Sequence, residues 1–256
     1  QADFVARAIL DQSGVAGHKV GYGKTLELIM SAMELSRMGI ANKPMIVCDN
    51  PSYAQFVATA REAYPQARIL VSDEVSMNSK NRKVFLNRIM TGSYDFVILP
   101  QSHFDLILVS PSTQMRWMSE ELSQLEAAID AGKGSGGSRH SVRKVQAQKE
   151  KMQEKLIALR DKLARGNDRN TYFEDLGVDF LLIDEIHKYK KSGIVTAFAD
   201  VKGIDTGRSQ RGVNLLMKAG FIQDQRGGRG VIGATGTPIT NTMAEAWNVL
   251  RLTRPN

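Results

Sequence analysis

The sequence of 256 residues is poor in several features that mark particular classes of protein. It has a single cysteine, Cys48, which excludes an internal disulfide framework and fits a reducing cytoplasm. Its longest apolar runs, such as Phe180–Ile183, are far too short to cross a bilayer, and no secretory signal is visible. We therefore expect a cytoplasmic protein with no membrane partner, in which Cys48 ends a buried strand.

The chain also lacks an initial methionine and begins at Gln1 inside a helical pattern, so we expect it to be a fragment of a longer protein. The net charge is +7, and its location is informative. Between Lys133 and Arg165 there are ten Lys or Arg against three Asp or Glu, so the rest of the chain is close to neutral. A basic excess on one segment indicates a polyanionic partner or an acidic face within the protein.

Short apolar segments alternate with helical patterns along most of the chain. The apolar segments do not alternate with polar residues, which is typical of strands buried on both faces of a parallel sheet. They are Met45–Cys48, Ile69–Val71, Phe96–Leu99, Phe180–Ile183 and Val231–Ala234. The helical patterns are Leu26–Met38, Tyr53–Ala63, Arg82–Met90 and Gln210–Ile222, the last with Gly220 near its predicted end. This alternation predicts an α/β layered fold.

One region, from Pro111 to about Asp175, has no strand pattern. Apolar residues at helical spacing occur on both sides of a glycine-rich link over residues 132–138, which predicts an antiparallel helical hairpin inserted into the sheet domain. The first arm is acidic and the second basic. The arms could pair with each other, or the surplus Lys and Arg could contact nucleic acid or a partner.

A glycine-rich loop precedes the first helical pattern. It consists of Gly21, Tyr22, Gly23, Lys24 and Thr25. Glycines let backbone N–H groups approach phosphates, the lysine supplies a positive charge to the terminal phosphates, and the threonine hydroxyl can ligate Mg²⁺. A bare helix-capping loop is the alternative, because a His occupies the position where the full pattern has Gly.

Two adjacent carboxylates follow a buried strand pattern. Asp184 is placed to hold Mg²⁺, and Glu185 to orient and deprotonate an attacking water. His187 could report the nucleotide state to a neighbouring segment. The alternative is that Asp184 caps a following turn, with His187 in solvent.

A third motif, from Gly233 to Pro238, also follows an apolar strand pattern. Its small residues allow close approach to the other loops. The hydroxyls of Thr235 and Thr237 can bond the carboxylates of the acidic pair.

Together, the motifs GYGKT, DEIH and TGTP resemble the first motor lobe of superfamily 2 helicases and translocases, in the Snf2-like branch. More closely, the chain resembles the helicase region of large phage- or plasmid-encoded methylase/helicase proteins, some of them linked to antirestriction. The resemblance covers essentially the whole chain. It implies one RecA-like P-loop lobe over residues 1–256, with a mostly parallel sheet flanked by helices and the helical hairpin inserted at about 111–175.

The resemblance implies further site residues. A His at the start of the loop is familiar in that family, which accounts for His18. Gln1 matches the glutamine that reads the adenine base. The positions that match nucleic-acid contacts are Asn50, Ser52, Gln101 and Ser102, each of which could equally be turn chemistry. Arg208 and Arg211, in a basic stretch between the second and third motifs, are further nucleic-acid candidates, with a helix-capping loop as the alternative.

The resemblance implies a motor that uses ATP and Mg²⁺ on DNA, with duplex DNA as the expected form. Such motors need an arginine from a second lobe. No methylase motif is visible, so a methyltransferase region would lie elsewhere in the parent protein. A nucleotide-gated binding module that does not translocate remains the alternative function, and an unrelated phosphate-loop kinase is a more remote one.

Overall fold

A computed structural model describes residues 1–19, 21–134, 139–164, 170–190, 209–237 and 243–254. Its sheet has six strands in the order β1-β6-β5-β2-β4-β3, and every neighbouring pair is parallel. The strands are β1 (Ser13–Ala16), β2 (Pro44–Cys48), β3 (Ile69–Val71), β4 (Phe96–Pro100), β5 (Phe180–Ile183) and β6 (Val231–Ala234). The predicted α/β fold with a parallel sheet is confirmed.

Helices connect these strands and cover both faces of the sheet. They are α1 (Ala2–Asp11), α2 (Lys24–Arg37), α3 (Tyr53–Ala63), α4 (Glu74–Met77), α5 (Arg82–Thr91), α6 (Gln101–Asp105), α7 (Pro111–Gly134), α8 (Arg139–Ala164), α9 (Gln210–Gln225) and α10 (Met243–Thr253). Two 3₁₀ turns flank β5, at Phe173–Leu176 and Ile186–Tyr189. Within the described residues, no helix has the length and apolarity needed to span a membrane.

The core lies in two layers, one on each face of the sheet. In β2, for example, Met45 and Val47 pack into one layer, whereas Ile46 and Cys48 pack into the other. Because both faces are covered, the strand carries an unbroken apolar sequence. Burial raises the pKa of the Cys48 thiol, which fits the expected core role of this residue.

The five predicted strands are all present, and a sixth, β1, was missed. Its four residues lie at the edge of the sheet with β6 as the strand partner, and only Ala16 is fully buried. Such a short edge strand carries little apolar signal. The helix predicted over Gln210–Ile222 is also present but continues to Gln225, so Gly220 lies inside α9 and does not end it.

The predicted hairpin is confirmed as α7 packed on α8. Its own small core contains Leu125, Ile129 and Val145. Nζ of Lys149 on α8 lies 2.9 Å from a carboxylate oxygen of Glu126 on α7, which supports pairing between the basic and acidic arms. The structure describes no side chains in the link or at the ends of α7 and α8 nearest to it.

The hairpin is tied to the sheet domain by ion pairs at the base of α7. Arg116 pairs with Asp224 of α9 at 2.6 Å, and the buried Glu121 accepts a hydrogen bond from Arg251 of α10 at 3.3 Å. The base of the hairpin therefore packs against the last two helices of the chain.

Candidate active site

The three sequence motifs meet at one edge of the sheet. Because all strands are parallel, their carboxyl ends share this edge, which is where open α/β sheets bind ligands. The loop after β1 leads to the glycine motif, the acidic pair follows β5, and the threonine motif follows β6. Since β5 and β6 are neighbours and β1 pairs with β6, the motifs come from adjacent strands.

The glycine loop ends at the N-terminus of α2. Gly23 is the N-cap of this helix, with a φ of 84°, and the helix begins at Lys24. This positive φ is a backbone conformation that favours glycine at position 23. The free amides at the start of α2, together with its dipole, form a natural anion site.

Lys24 joins the glycine loop to the acidic pair. Its Nζ donates to the carbonyl oxygen of His18 at 3.2 Å and lies 3.8 Å from Oε1 of Glu185. The side chain is mostly buried, so its charge is directed into the site and away from bulk solvent.

His18 is held by a buried carboxylate that sequence reasoning missed. Its Nδ1 lies 2.9 and 3.1 Å from the two carboxylate oxygens of Glu27, so this nitrogen carries the proton. Glu27 is only 2% exposed and lies in the first turn of α2. The signal for Glu27 in the sequence was an acidic residue among the apolar positions of that helix.

Gln1, Tyr22 and Thr25 also lie at the loop. Nε2 of Gln1 donates to the carbonyl oxygen of Tyr22 at 3.3 Å, whereas the Tyr22 side chain is exposed and that of Thr25 is half-buried. A groove of about 550 Å³ begins beside Gln1 and His18 and runs between α1, β1 and the end of α10. The structure thus brings Gln1 next to the glycine loop and a cavity.

Asp184 is a buried carboxylate at the end of β5. It is 6% exposed, and burial, followed by the charge of Glu185, raises its pKa to about 6. A cation here would favour the charged form of this carboxylate. The carboxylate, together with the Thr25 hydroxyl, supplies oxygen ligands, which are what Mg²⁺ prefers, so these residues fit a magnesium site completed by phosphate oxygens and water.

Glu185 has a left-handed backbone, with φ 48° and ψ 47°. For a residue other than glycine this conformation costs roughly 1–2 kcal/mol. It turns the Glu185 carboxylate towards Lys24 and towards His187, whose Nδ1 lies 3.0 Å from Oε2 of Glu185. Ile186, next in the chain, is fully buried against Gly233, where a Cβ atom would come within 2.5 Å of it.

The threonine motif completes the cluster. Oγ1 of Thr235, which is fully buried, lies 2.8 Å from Nδ1 of His187 and 3.5 Å from Oε2 of Glu185. Thr237 donates its backbone N–H to Oγ1 of Thr235 at 3.1 Å. The hydroxyl of Thr235 therefore meets a carboxylate as expected, whereas Thr237 joins through its amide. Pro238 lies outside the described residues.

The nucleic-acid candidates have different surroundings. Asn50 and Ser102 are exposed, and Oδ1 of Asn50 accepts the N–H of Ser102 at 3.1 Å. The hydroxyl of Ser52 donates to the carbonyl oxygen of Asp49 at 3.0 Å, which is ordinary turn chemistry. Asn50 and Ser102 thus lie side by side at the ends of β2 and β4.

Gln101 is buried and Arg211 is half-buried, so both are less exposed than Asn50 and Ser102. Gln101 is 1% exposed, so its side chain is buried in this structure, and the nucleic-acid contact expected from its sequence position stays a prediction. Arg211 is ion-paired with Asp105 at 2.6 Å. Arg208 lies outside the described residues.

Comparisons with known proteins agree with this architecture. Over 89 residues the chain is 29% identical to the "Defense against restriction protein B" of Escherichia phage P1, a match that covers 32% of the chain and 4% of the phage protein. The structure resembles the Sulfolobus solfataricus SWI2/SNF2 ATPase core in complex with dsDNA, with a TM-score of 0.51 and 11% identity. That match covers all of this chain and 34% of the archaeal chain, so the sequence spans a minor part of both relatives.

The fold of the archaeal core is the RecA-like fold expected from the three motifs. A family model described as a probable helicase domain matches residues 8–256. The chain therefore belongs to the family of probable helicase domains.

Proposed function

We propose that this domain binds ATP with Mg²⁺ at the carboxyl edge of its sheet and hydrolyses it as the first lobe of a DNA helicase or translocase. The observation that carries the proposal is a continuous set of contacts across the three motifs. Lys24 lies 3.8 Å from Glu185, Glu185 lies 3.0 Å from His187, and His187 lies 2.8 Å from Thr235.

Each group has a chemical role in this proposal. The amides at the start of α2 and the Lys24 ammonium bind the phosphates, with Gly21 and Gly23 allowing close approach of the backbone. Thr25 and Asp184 hold the Mg²⁺, which supplies charge neutralisation on the phosphates when it is bound. Glu185 accepts a proton from the attacking water.

Three polar residues complete the proposed nucleotide site. Gln1, which lies beside the groove between α1 and β1, contacts the adenine. His187 and Thr235 link the carboxylate of Glu185 to the third motif, so that a change in the bound nucleotide is transmitted to that motif.

DNA is the nucleic acid on which the motor is proposed to move, and duplex DNA is the favoured form. The archaeal relative of similar fold was solved with dsDNA, which supports this choice. The exposed pair Asn50 and Ser102 is the most accessible candidate contact at the sheet edge. The match to the phage protein supports the proposal that the parent protein acts against restriction in a bacterial host. Any methyltransferase region would lie elsewhere in that parent protein.

We further propose that turnover needs an arginine from a second lobe. In the described residues, Lys24 is the cation that lies against Glu185. One lysine cannot neutralise all of the negative charge that develops on the phosphate in the transition state, so a second cation is needed. The domain alone should therefore bind nucleotide and turn it over slowly. Adding the second lobe of the parent protein should increase the rate by orders of magnitude.

The test is phosphate release from ATP, measured with and without duplex DNA, for the wild type and two variants. Glu185→Gln should retain nucleotide binding and lose turnover, because the water loses its base. Lys19→Ala, an exposed lysine of the same loop, should behave as wild type. If Glu185→Gln hydrolyses ATP as fast as the wild type, the motor proposal is wrong, and a nucleotide-gated binding module becomes the better account.

A further inference from the structure

The turn after β5 needs support, because Glu185 has a strained left-handed backbone there. Strained residues persist when their surroundings over-determine them, and they cluster at functional sites. The carbonyl group of Asp184 belongs to the peptide that enters this turn, so a bond to that carbonyl fixes the orientation of the peptide. The structure provides such a bond from a side chain outside the three motifs.

Gln101, at the start of α6, supplies this bond to the Asp184 carbonyl. Its Nε2 donates to the carbonyl oxygen of Asp184 at 3.0 Å, and its Oε1 accepts from Nη2 of Arg211 at 2.9 Å. One partner only accepts and the other only donates, so the orientation of the carboxamide is fixed. With 1% of its surface exposed, Gln101 is available for internal support and not for a ligand in solution.

Arg211, in the first turn of α9, contacts the turn from a second side. Its guanidinium lies 4.9 Å from the ring centre of Tyr189, the buried last residue of the 3₁₀ turn that follows Glu185. An ion pair of 2.6 Å with Asp105 fixes the arginine in place. Planar guanidinium groups suit this combination of stacking and forked hydrogen bonding, which lysine cannot reproduce.

The rest of α9 is bonded to α6 in the same way. Asn214 donates to the carbonyl oxygen of Asp105 at 3.1 Å, and Lys218 donates to that of Phe104 at 2.6 Å. Three side chains on one face of α9 thus hold α6 and, through Gln101, the acidic turn. The two helices are fixed relative to each other by polar bonds that depend on direction.

We propose that Gln101 and Arg211 are positioning residues that hold the strained Asp184–Glu185 turn and thereby couple the N-terminus of α9 to the magnesium-binding edge. The role in the site rests on the function proposed above, whereas the mechanical support does not. Displacement of α9, which directly follows the segment that contains Arg208, would release the Gln101 bond and let the turn relax.

Amide hydrogen exchange tests the support without any ligand. The N–H groups of Lys188 and Lys190 are bonded to carbonyl oxygens within this turn, so their exchange reports its opening. Gln101→Leu and Arg211→Met should each speed their exchange by roughly tenfold, the effect of losing one buried polar bond. Arg226→Met, which removes a bonded arginine at the opposite end of α9, should leave these two amides unchanged.

A second measurement tests the role in the site. Binding of a fluorescent ATP analogue is measured with Mg²⁺ and with EDTA, and the ratio of the two affinities is the gain due to the metal. Gln101→Leu and Arg211→Met should each lower that gain by roughly fivefold while the affinity in EDTA stays within about twofold. A general loss of stability would change both affinities alike.

The outcomes separate the two proposals. Unchanged exchange in both variants, or an unchanged metal gain in variants whose turn has loosened, would overturn the positioning role. If the wild type shows no metal gain at all while exchange in the variants rises, the support stands and the nucleotide function fails.

Discussion

Glu27 shows how a single residue can determine the shape of a binding loop. Its buried carboxylate accepts from His18, and the carbonyl oxygen of His18 in turn accepts from Lys24. This carboxylate thus supports the glycine loop through His18, and the His that departs from the usual pattern has a definite partner.

We expect Glu27→Gln to weaken nucleotide binding by roughly tenfold, because a hydrogen bond to a buried charged group is lost and the loop relaxes. The measurement is titration with a fluorescent ATP analogue. Glu34→Gln on the same helix, where the partner is the exposed Arg37 one turn away, serves as the matched control and should bind as wild type. Equal affinities in Glu27→Gln and the control would contradict the assigned role.

Lys218 gives a prediction about pH. It is fully buried, and burial lowers its pKa to about 7, partly opposed by the charges of Asp105 and Glu174. Between pH 7 and the ordinary lysine pKa, the unfolded chain binds a proton that the folded chain does not, so the free energy of unfolding rises with pH. Below pH 7 both states are protonated and this dependence disappears.

Urea denaturation of the wild type and of Lys218→Met at pH 7, 8 and 9 checks this sign. The difference in free energy of unfolding, wild type minus variant, should increase with pH by up to about 1.4 kcal/mol per unit. A difference that stays constant or falls over this range would show that Lys218 keeps its proton in the folded protein.

At the scale of elements, the hairpin of α7 and α8 is an energetic unit of its own. Its core of Leu125, Ile129 and Val145 is separate from the two layers that cover the sheet. The hairpin joins the body through the ion pairs of Arg116 and Glu121 and through Trp117, which packs against one of the two sheet layers. Loss of its core should therefore leave the nucleotide edge intact.

Leu125→Ala removes a fully buried side chain from that small core and should destabilise the hairpin by about 2–5 kcal/mol. Helical circular dichroism should fall, whereas binding of the ATP analogue should stay within about twofold. Ile157→Ala on α8, where the side chain is 58% exposed, is the control and should change neither signal. Loss of nucleotide binding in Leu125→Ala would show that the hairpin and the sheet domain unfold together.

The elements also show what the sequence could and could not predict. Strands buried on both faces, such as Phe180–Ile183, were predictable because nothing but apolar residues fits there. The edge strand Ser13–Ala16 was not, since one strand partner and partial burial require little apolar sequence. The three motifs were found because each follows a strand, but the burial of Gln101 depends on α9, which lies 110 positions along the chain at Arg211.

At the scale of the whole molecule, the parallel sheet brings motifs that are far apart in the sequence together at one site. Strands β1, β5 and β6 are neighbours although they are far apart in the chain, so their following loops converge. The contacts of Glu185 with Lys24 and with Thr235 arise from this convergence, and no local pattern encodes them. The family match over residues 8–256 spans the loop, the acidic pair and the threonine motif together.

The central claim is that this edge binds ATP with Mg²⁺ through Lys24. Its most direct test is calorimetric titration of a slowly hydrolysed ATP analogue, in the presence of Mg²⁺, into the wild type, Lys24→Ala and Lys19→Ala. We predict saturable binding at one site in the wild type and in Lys19→Ala, and at least about tenfold weaker binding in Lys24→Ala. Equal affinity in Lys24→Ala and the wild type, or no binding by either, would contradict the account.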